Sequence, residues 1–257
     1  ETNKVVMYLN RDIYLFLNYN LKNKNIIVFS TMDKIELLQS VPLFSSLNKI
    51  SLKKISEKMV TRSYAKGKMV VIEESMGRTF FLIKSGAVKV TRMSDDGREV
   101  ILAMLGEGDF FGEMALLDGE GRSANVVTID DSVLLSLQRG DFLYILESYP
   151  QIAIKLLEEL TSRIRYSDQQ IESLSLSDAE QRICIALIRL AEELGQIKGG
   201  TVTINNLPYH QDIANMAGTS RETVSRVLKS LEKKRFISRR GRKTTIRNFI
   251  KFCRLFS

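Results

Sequence analysis

The stretch Thr219 to Arg235, TSRETVSRVLKSLEKKR, admits few conformations. At 3.6 residues per turn Val224, Val227, Leu228 and Leu231 fall on one side, spaced i, i+3, i+4, i+7. Arg221, Glu222, Ser225 and Arg226 fall on the other. This is an amphipathic helix with one stripe to bury and one charged face to present. Upstream, Leu207 to Ala217 reads as a second helix, and Gly218 supplies the left-handed residue that ends it in a tight turn. Two short helices joined this way form a helix-turn-helix, whose second helix enters a DNA groove.

The residue types on the exposed face suit that task. A guanidinium can donate two hydrogen bonds to O6 and N7 of one guanine, and a carboxylate can accept from the N4 amine of cytosine. Arg221, Glu222 and Arg226 therefore match a short GC-containing half-site, flanked by Ser220 and Ser225. Two other roles stay open. Thr219 and Glu222 have capping-box spacing, so Glu222 either reads a base or closes the helix start. Arg226 either reads a base or anchors a phosphate.

Charge follows the same division. Residues 219–257 hold 13 Lys and Arg against 2 Asp and Glu, a net +11, and the preceding 218 residues hold 25 against 28. Basic charge interleaved with the periodicity of a folded unit points to the phosphate backbone of double-stranded DNA. Phe236–Arg239 and Thr244–Arg247, joined through Arg240-Gly241-Arg242-Lys243, read as a hairpin wing with Lys243 placed for phosphate. The wing makes the module, residues 178–257, a winged helix.

Other chemistries lack their residues. One histidine, His210, cannot build a histidine-rich metal site, and the two cysteines, Cys184 and Cys253, cannot ligate an iron–sulfur cluster. No metal, haem or cluster is expected, and no catalytic residue. Isolated cysteines without a CxxC companion fit a reducing compartment, the cytoplasm. Residues 1–31, rich in Asn, Lys and Tyr, have apolar runs too short to span a bilayer, so no membrane association is expected. They read as an extension ahead of a natural start at Met32.

Between them the chain changes rhythm. A helical pattern over Leu47–Met59 gives way to short extended runs at Met69–Ile72, Thr79–Lys84, Ala87–Arg92, Val100–Leu105, Ala124–Thr128 and Ser132–Leu137. Asp95-Asp96-Gly97 marks a hairpin turn between two of them. Short strands at such spacing build an antiparallel double-sheet roll rather than βαβ units. Residues 32–149 are thus expected to form a β-roll with helical flanks.

Within the roll, Gly106-Glu-Gly-Asp-Phe-Phe-Gly-Glu-Met-Ala-Leu-Leu is followed by Arg122-Ser-Ala-Asn-Val. Gly112 allows close approach of a ligand, and Met114 and Ala115 open a short helix whose free N–H groups favour an anion. Arg122 offers a fork for phosphate, and Glu113 accepts from hydroxyls. The alternative is that Glu113 and Arg122 pair only with each other.

After Pro150, Leu157, Leu160, Ile164, Ser167, Ile171 and Leu174 are spaced 3, 4, 3, 4, 3, an a/d seam over residues 150–177. Its length and its place between two domains favour a parallel homodimer over an internal core stripe. Ser167 and Asp168 are polar exceptions that a ligand reaching from the β-roll would compensate.

Together these residues resemble the CRP/FNR family of transcription regulators, over about residues 35–248. Gly112–Val126 reads G-E-M-A-L-x5-R-S-A-x-V, like the family's cyclic-nucleotide signature, and Ser220–Arg226 reads S-R-E-T-V-S-R, like its reading helix. The resemblance implies an effector, cAMP or another cyclic nucleotide, held by Gly112, Glu113, Met114, Ala115, Arg122, Ser123 and Ala124. Glu113 would take the ribose 2′-hydroxyl, Arg122 and Ser123 the cyclic phosphate, and Ser167 and Asp168 the base, each from one or the other subunit. Arg221, Glu222 and Arg226 imply a palindrome of TGTGA-like half-sites. Departures are Ser167-Asp168, where cAMP responders carry Thr-Ser, and Glu74-Ser75-Met76-Gly77, which lacks a Gly-acidic pair.

The expected class is α+β: a jelly-roll-like β-roll of the cyclic-nucleotide-binding type, a long dimerisation helix and a winged helix-turn-helix. The expected function is a homodimeric, effector-gated regulator of transcription, with RNA polymerase a further partner were it an activator. The competing reading is a regulator of the same fold that binds no cyclic nucleotide. A cupin-type enzyme would need several histidines, and the basic wing argues against a kinase or channel regulatory module.

Overall fold

The computed structural model describes residues 33–256. Expectations for residues 1–31 and a start at Met32 lie outside them. The chain opens with α1 (Lys34–Ser40) and α2 (Lys49–Lys58), capped by Asp33 and Asn48 respectively. Eight strands follow: β1 (Val60–Tyr64), β2 (Met69–Val71), β3 (Thr79–Ser85), β4 (Val88–Met93), β5 (Glu99–Leu105), β6 (Phe110–Phe111), β7 (Asn125–Thr128) and β8 (Ser132–Gln138). The one-turn α3 (Met114–Leu117) lies between β6 and β7.

The strands form two antiparallel four-stranded sheets, ordered β1-β8-β3-β6 and β2-β7-β4-β5. β3 explains how they stack. Phe81 and Ile83 join Val88, Phe111, Val126 and Leu134 between the sheets. Phe80 and Leu82 face the other way, into a cluster with Leu37, Leu52, Ile55 and Phe142 from the helical flank. Successive side chains point to opposite faces, so a strand buried on both sides reads as a continuous apolar run. The Asp95–Gly97 turn joins β4 to β5 as expected: Ser94 N donates to Arg98 O (2.9 Å), and Gly97 takes φ +79°.

β1 and β6 are absent from the sequence expectation. β1 is nearly all exposed and polar, and β6 is two residues long, so neither shows a periodic signal.

α4 (Arg139–Ser148) leads into α5 (Pro150–Leu176), which runs 27 residues from a proline at its first turn. Only Ile152 and Leu156 of α5 are buried. Of the seam residues beyond them, Leu160 packs partly buried against the flank cluster, and the other apolar ones stand out from the chain: Leu157 is 63% exposed and Ile171 64%, with Ile164 and Leu174 similar.

The C-terminal module comprises α6 (Ala179–Leu194), β9 (Gln196–Lys198), β10 (Thr201–Ile204), α7 (His210–Ala217), α8 (Arg221–Lys233), β11 (Ile237–Arg240), β12 (Lys243–Ile246) and α9 (Phe249–Phe256). The four strands form one sheet, β11-β12-β10-β9. α7 begins at His210, three residues later than its pattern suggests. Leu207 and Pro208 are buried in the approach to the helix, so burial extends the apolar pattern beyond it. The core joins Val224, Val227, Leu228 and Leu231 of α8 to α6, α7 and α9, and it includes Ile101 and Met104 of β5. The module therefore docks on the β-roll's second sheet.

Candidate functional site

The glycine-rich turn after β6 brings Glu113 and Arg122 into one region. Gly112 takes φ +84°, and a Cβ there would stand 2.6 Å from Arg122 Nη1 and 2.9 Å from Thr79 O. Gly77, with no positive φ, is confined by space alone: its Cβ would meet Arg122 Nε at 2.2 Å. The Arg122 side chain lies in the slot these two glycines leave. It is 7% exposed, and donates from Nη1 to Gly112 O (2.8 Å) and from Nη2 to Thr79 O (2.7 Å). Burial pulls its guanidinium below the ordinary range, and the nearby Glu113 carboxylate opposes that.

Glu113 is 3% exposed. It does not pair with Arg122 by contact. Arg163 of α5 donates from Nη1 to Glu113 Oε1 at 2.9 Å and from Nη2 to Phe110 O at 2.9 Å, with its guanidinium 4.7 Å from the Phe110 ring centroid. Glu113 Oε2 is buried and has no hydrogen-bond partner among the described residues. A buried carboxylate oxygen without a donor is uncommon, and it suits a ligand hydroxyl.

The sequence reading missed Arg163. The signal was present: it lies one turn before Ser167, on the face expected to meet the ligand.

The other expected residues surround this pair. Ala115 and Ala124 are buried and Met114 is exposed. The Ser123 hydroxyl is exposed and lies 3.7 Å from Met114 Sδ. Ser167 Oγ donates back to Arg163 O (3.0 Å), and both Ser167 and Asp168 are exposed on α5. α3, which Met114 and Ala115 open, is a single turn of four residues. Among the described residues no cluster of His, Cys, Asp and Glu could hold a metal, and no helix is long and apolar enough to cross a membrane.

At the other end, Gly218 adopts the left-handed conformation (φ +57°, ψ +48°), and Thr219 N donates to Ala214 O across the turn. Ser220, rather than Thr219, caps α8, its Oγ accepting from Thr223 N at 3.2 Å. The capping-box spacing is thus one residue out of register. The Glu222 carboxylate nonetheless stays at the helix start, held below its ordinary range by its own N–H, the Ser220 hydroxyl and Arg221. Arg221, Glu222 and Arg226 are exposed, and Ser225 is half-buried.

The wing turns at Gly241 (φ +60°), the first of two central residues, where a twisted hairpin favours glycine. Its basic residues divide by role. Arg242 is held inward, donating from Nε to Leu207 O (3.0 Å) over the Tyr209 ring (4.7 Å). Arg239 pairs with Glu232 (2.7 Å) and lies 3.3 Å from His210 Nε2. Burial, then the charges of Arg239 and Arg221, pull His210 below its ordinary range, which fits a structural histidine. Arg240 and Lys243 remain exposed beside a cleft lined by Tyr209, His210, Arg221 and Arg242.

Comparison with known proteins accords with both ends of the molecule. A family model for the cyclic nucleotide-binding domain matches residues 61–149, and one for the Crp-like helix-turn-helix domain matches residues 181–255. The chain is 37% identical to the cyclic AMP receptor protein of Thermus thermophilus, over 76% of this chain and 87% of that one. It is 32% identical to the global nitrogen regulator of a Nostoc species, over 70% and 81%. FixK2 from Bradyrhizobium japonicum shares the fold, with a TM-score of 0.69 at 24% identity over 77% and 98%. These relatives are regulators rather than enzymes. The chain thus carries a double-sheet roll, a long helix and a winged helix-turn-helix in that order, and it belongs to the CRP/FNR family of DNA-binding transcription regulators.

Proposed function

We propose that the chain works as a homodimer, joined along α5, whose binding to a TGTGA-like palindrome in the cytoplasm is gated by a cyclic nucleotide, cAMP first among candidates. The observation that carries the effector reading is the buried, partnerless Oε2 of Glu113 next to the cradled Arg122. A ribose 2′-hydroxyl would donate to that oxygen. The cyclic phosphate would take Arg122, Ser123 and the N–H groups near Met114 and Ala115, and Gly112 and Ala124 would leave room for it. Ser167 and Asp168 would face the base. The exposed stripe of Leu157, Ile164, Ile171 and Leu174 supports the dimer, since a monomer would leave it in water.

The reading helix would use Arg221, Glu222 and Arg226 on bases, with Ser220, Ser225 and Lys243 on the backbone. Two-fold symmetry sets the two helices about 34 Å apart, one DNA turn. The effector shifts that spacing only by binding one arrangement more tightly than the other. Domain limits on this reading are 32–149, 150–177 and 178–257, with RNA polymerase the partner of an activating form.

One observation favours the competing reading, a regulator that binds no cyclic nucleotide: both Nη atoms of Arg122 already donate to backbone carbonyls. Titration calorimetry with cAMP and with cGMP decides between them. Binding that disappears in Arg122→Ala supports the nucleotide; no heat from either nucleotide removes it.

A further inference from the structure

β5 lies at one edge of its sheet. An uncovered edge offers unpaired backbone groups, and proteins cover it or charge it. Here the C-terminal module covers it. Arg189, in the middle of the apolar face of α6, is 5% exposed and donates from Nη2 to Leu102 O at 2.7 Å. From Nε it pairs with Glu193 at 2.7 Å, and its guanidinium lies 3.9 Å from the ring centroid of Tyr166 on α5. Nη1 has no hydrogen-bond partner among the described residues. A second clasp lies nearby: Lys89 bridges Glu99 (2.7 Å) and Asp212 (3.3 Å), and Asn215 donates to Glu99 (3.2 Å).

A buried arginine with an unmet donor is a poor source of stability, and an apolar residue would serve a core better. Its value lies in orientation, because one side chain touches the roll, the long helix and the module at once. Tyr166 stands three residues after Arg163, so the two share a face of α5. One meets Glu113 of the candidate pocket, and the other meets Arg189 of the module.

We propose that Arg189, stacked on Tyr166 and bound to the β5 edge, is a latch that holds the DNA-binding module in its DNA-competent orientation and ties that orientation to the position of α5. The latched state leaves Arg221, Glu222, Arg226 and Lys243 exposed, so it is compatible with DNA. Release lets the module swing about Ser177–Asp178, between the end of α5 and the cap of α6, and the two reading helices of a dimer lose their spacing. The part of this proposal that concerns gating rests on the effector reading above; the latch itself does not.

The test uses the full chain with Arg189→Met, Tyr166→Leu, the double variant and Tyr166→Phe. Hydrogen exchange over residues 99–105 and 183–193 needs neither ligand nor DNA. Fluorescence anisotropy on a duplex carrying TGTGA-N6-TCACA, with and without cAMP, reads affinity. The latch predicts faster exchange in Arg189→Met and Tyr166→Leu, and about tenfold weaker DNA binding, an ordinary coupling magnitude. The double variant should add little, and Tyr166→Phe, which keeps the ring, should match wild type. If Arg189→Met fails to fold, Tyr166→Leu, altered outside the module's core, carries the test. Wild-type exchange and affinity in Tyr166→Leu, or fully additive losses in the double variant, overturn the latch. A wild-type protein indifferent to cAMP removes the nucleotide reading and leaves the exchange result to judge the latch.

Discussion

Glu113 and Arg163 lie fifty residues apart in the chain and meet at 2.9 Å, joining the glycine-rich turn of the β-roll to the long helix. The pair is asymmetric: the carboxylate is almost fully buried, the guanidinium about a third exposed at its side chain. Only one carboxylate oxygen is satisfied, so the contact both anchors α5 to the roll and leaves an acceptor available. A ligand on that acceptor therefore acts on a group already tied to the helix between the two domains.

Glu113→Gln should weaken cAMP binding by about 1–3 kcal/mol, the cost of losing a charged acceptor for a ligand hydroxyl. Calorimetry checks this, with circular dichroism to confirm that the fold persists. Unchanged affinity would remove Glu113 from the ligand's contacts.

Gly77→Ala places a methyl group 2.2 Å from Arg122 Nε, so the guanidinium must leave its slot. The expected result is loss of cAMP affinity comparable to Arg122→Ala, with DNA affinity of the ligand-free protein unaltered. Gly140→Ala serves as a control, since Gly140, like Gly77, has no positive φ but has open space around its Cβ.

Arg221→Ala should cost about 1–3 kcal/mol on the palindrome and relax specificity at one base pair, whereas Lys243→Ala should weaken all sequences alike and lower the salt slope by about one. Anisotropy across a salt series on specific and scrambled duplexes separates the two. Equal losses on both duplexes for Arg221→Ala would make it a phosphate anchor.

Ile164→Lys, in the exposed seam, should convert a dimer to a monomer in sedimentation at micromolar concentration while each chain stays folded, because Ile164 contributes to no core within one chain. A dimer that survives Ile164→Lys and Ile171→Lys together would place the interface elsewhere.

The contribution of Glu192 and Glu193 to stability should fall as pH rises from about 4.5 to about 7, against a smaller opposite one from His210. Burial pushes Glu192 and Glu193 from the ordinary 4.5 up to about 7. Each holds its proton more tightly folded than unfolded, so its favourable contribution is full below 4.5 and lost as pH climbs through 7. Thermal melts between pH 5 and 8 should show the decline, and Glu192→Gln should flatten it. A melt that rises over that interval would contradict the assignment.

Periodic features were legible in the linear chain. The stripe Val224, Val227, Leu228, Leu231, the seam on α5 and the Asp95–Gly97 hairpin all appear where spacing places them, because helix and strand periods are local properties of the backbone. Both ends of the candidate site were also legible as residue types, Glu113 and Arg122 at one and Arg221 and Arg226 at the other. Spacing could not say who partners whom. Glu113 against Arg163, Arg122 against two carbonyls, and Arg189 against Leu102 and Tyr166 are contacts between segments far apart in sequence, set by the packing of two sheets and a helix. Register at chain ends behaves the same way: Thr219 and Ser220 are both able to cap α8, and the turn at Gly218 selects Ser220. Local pattern determined which elements form, and tertiary packing decided which charges meet, since a buried ion pair depends on geometry that no interval along the chain encodes.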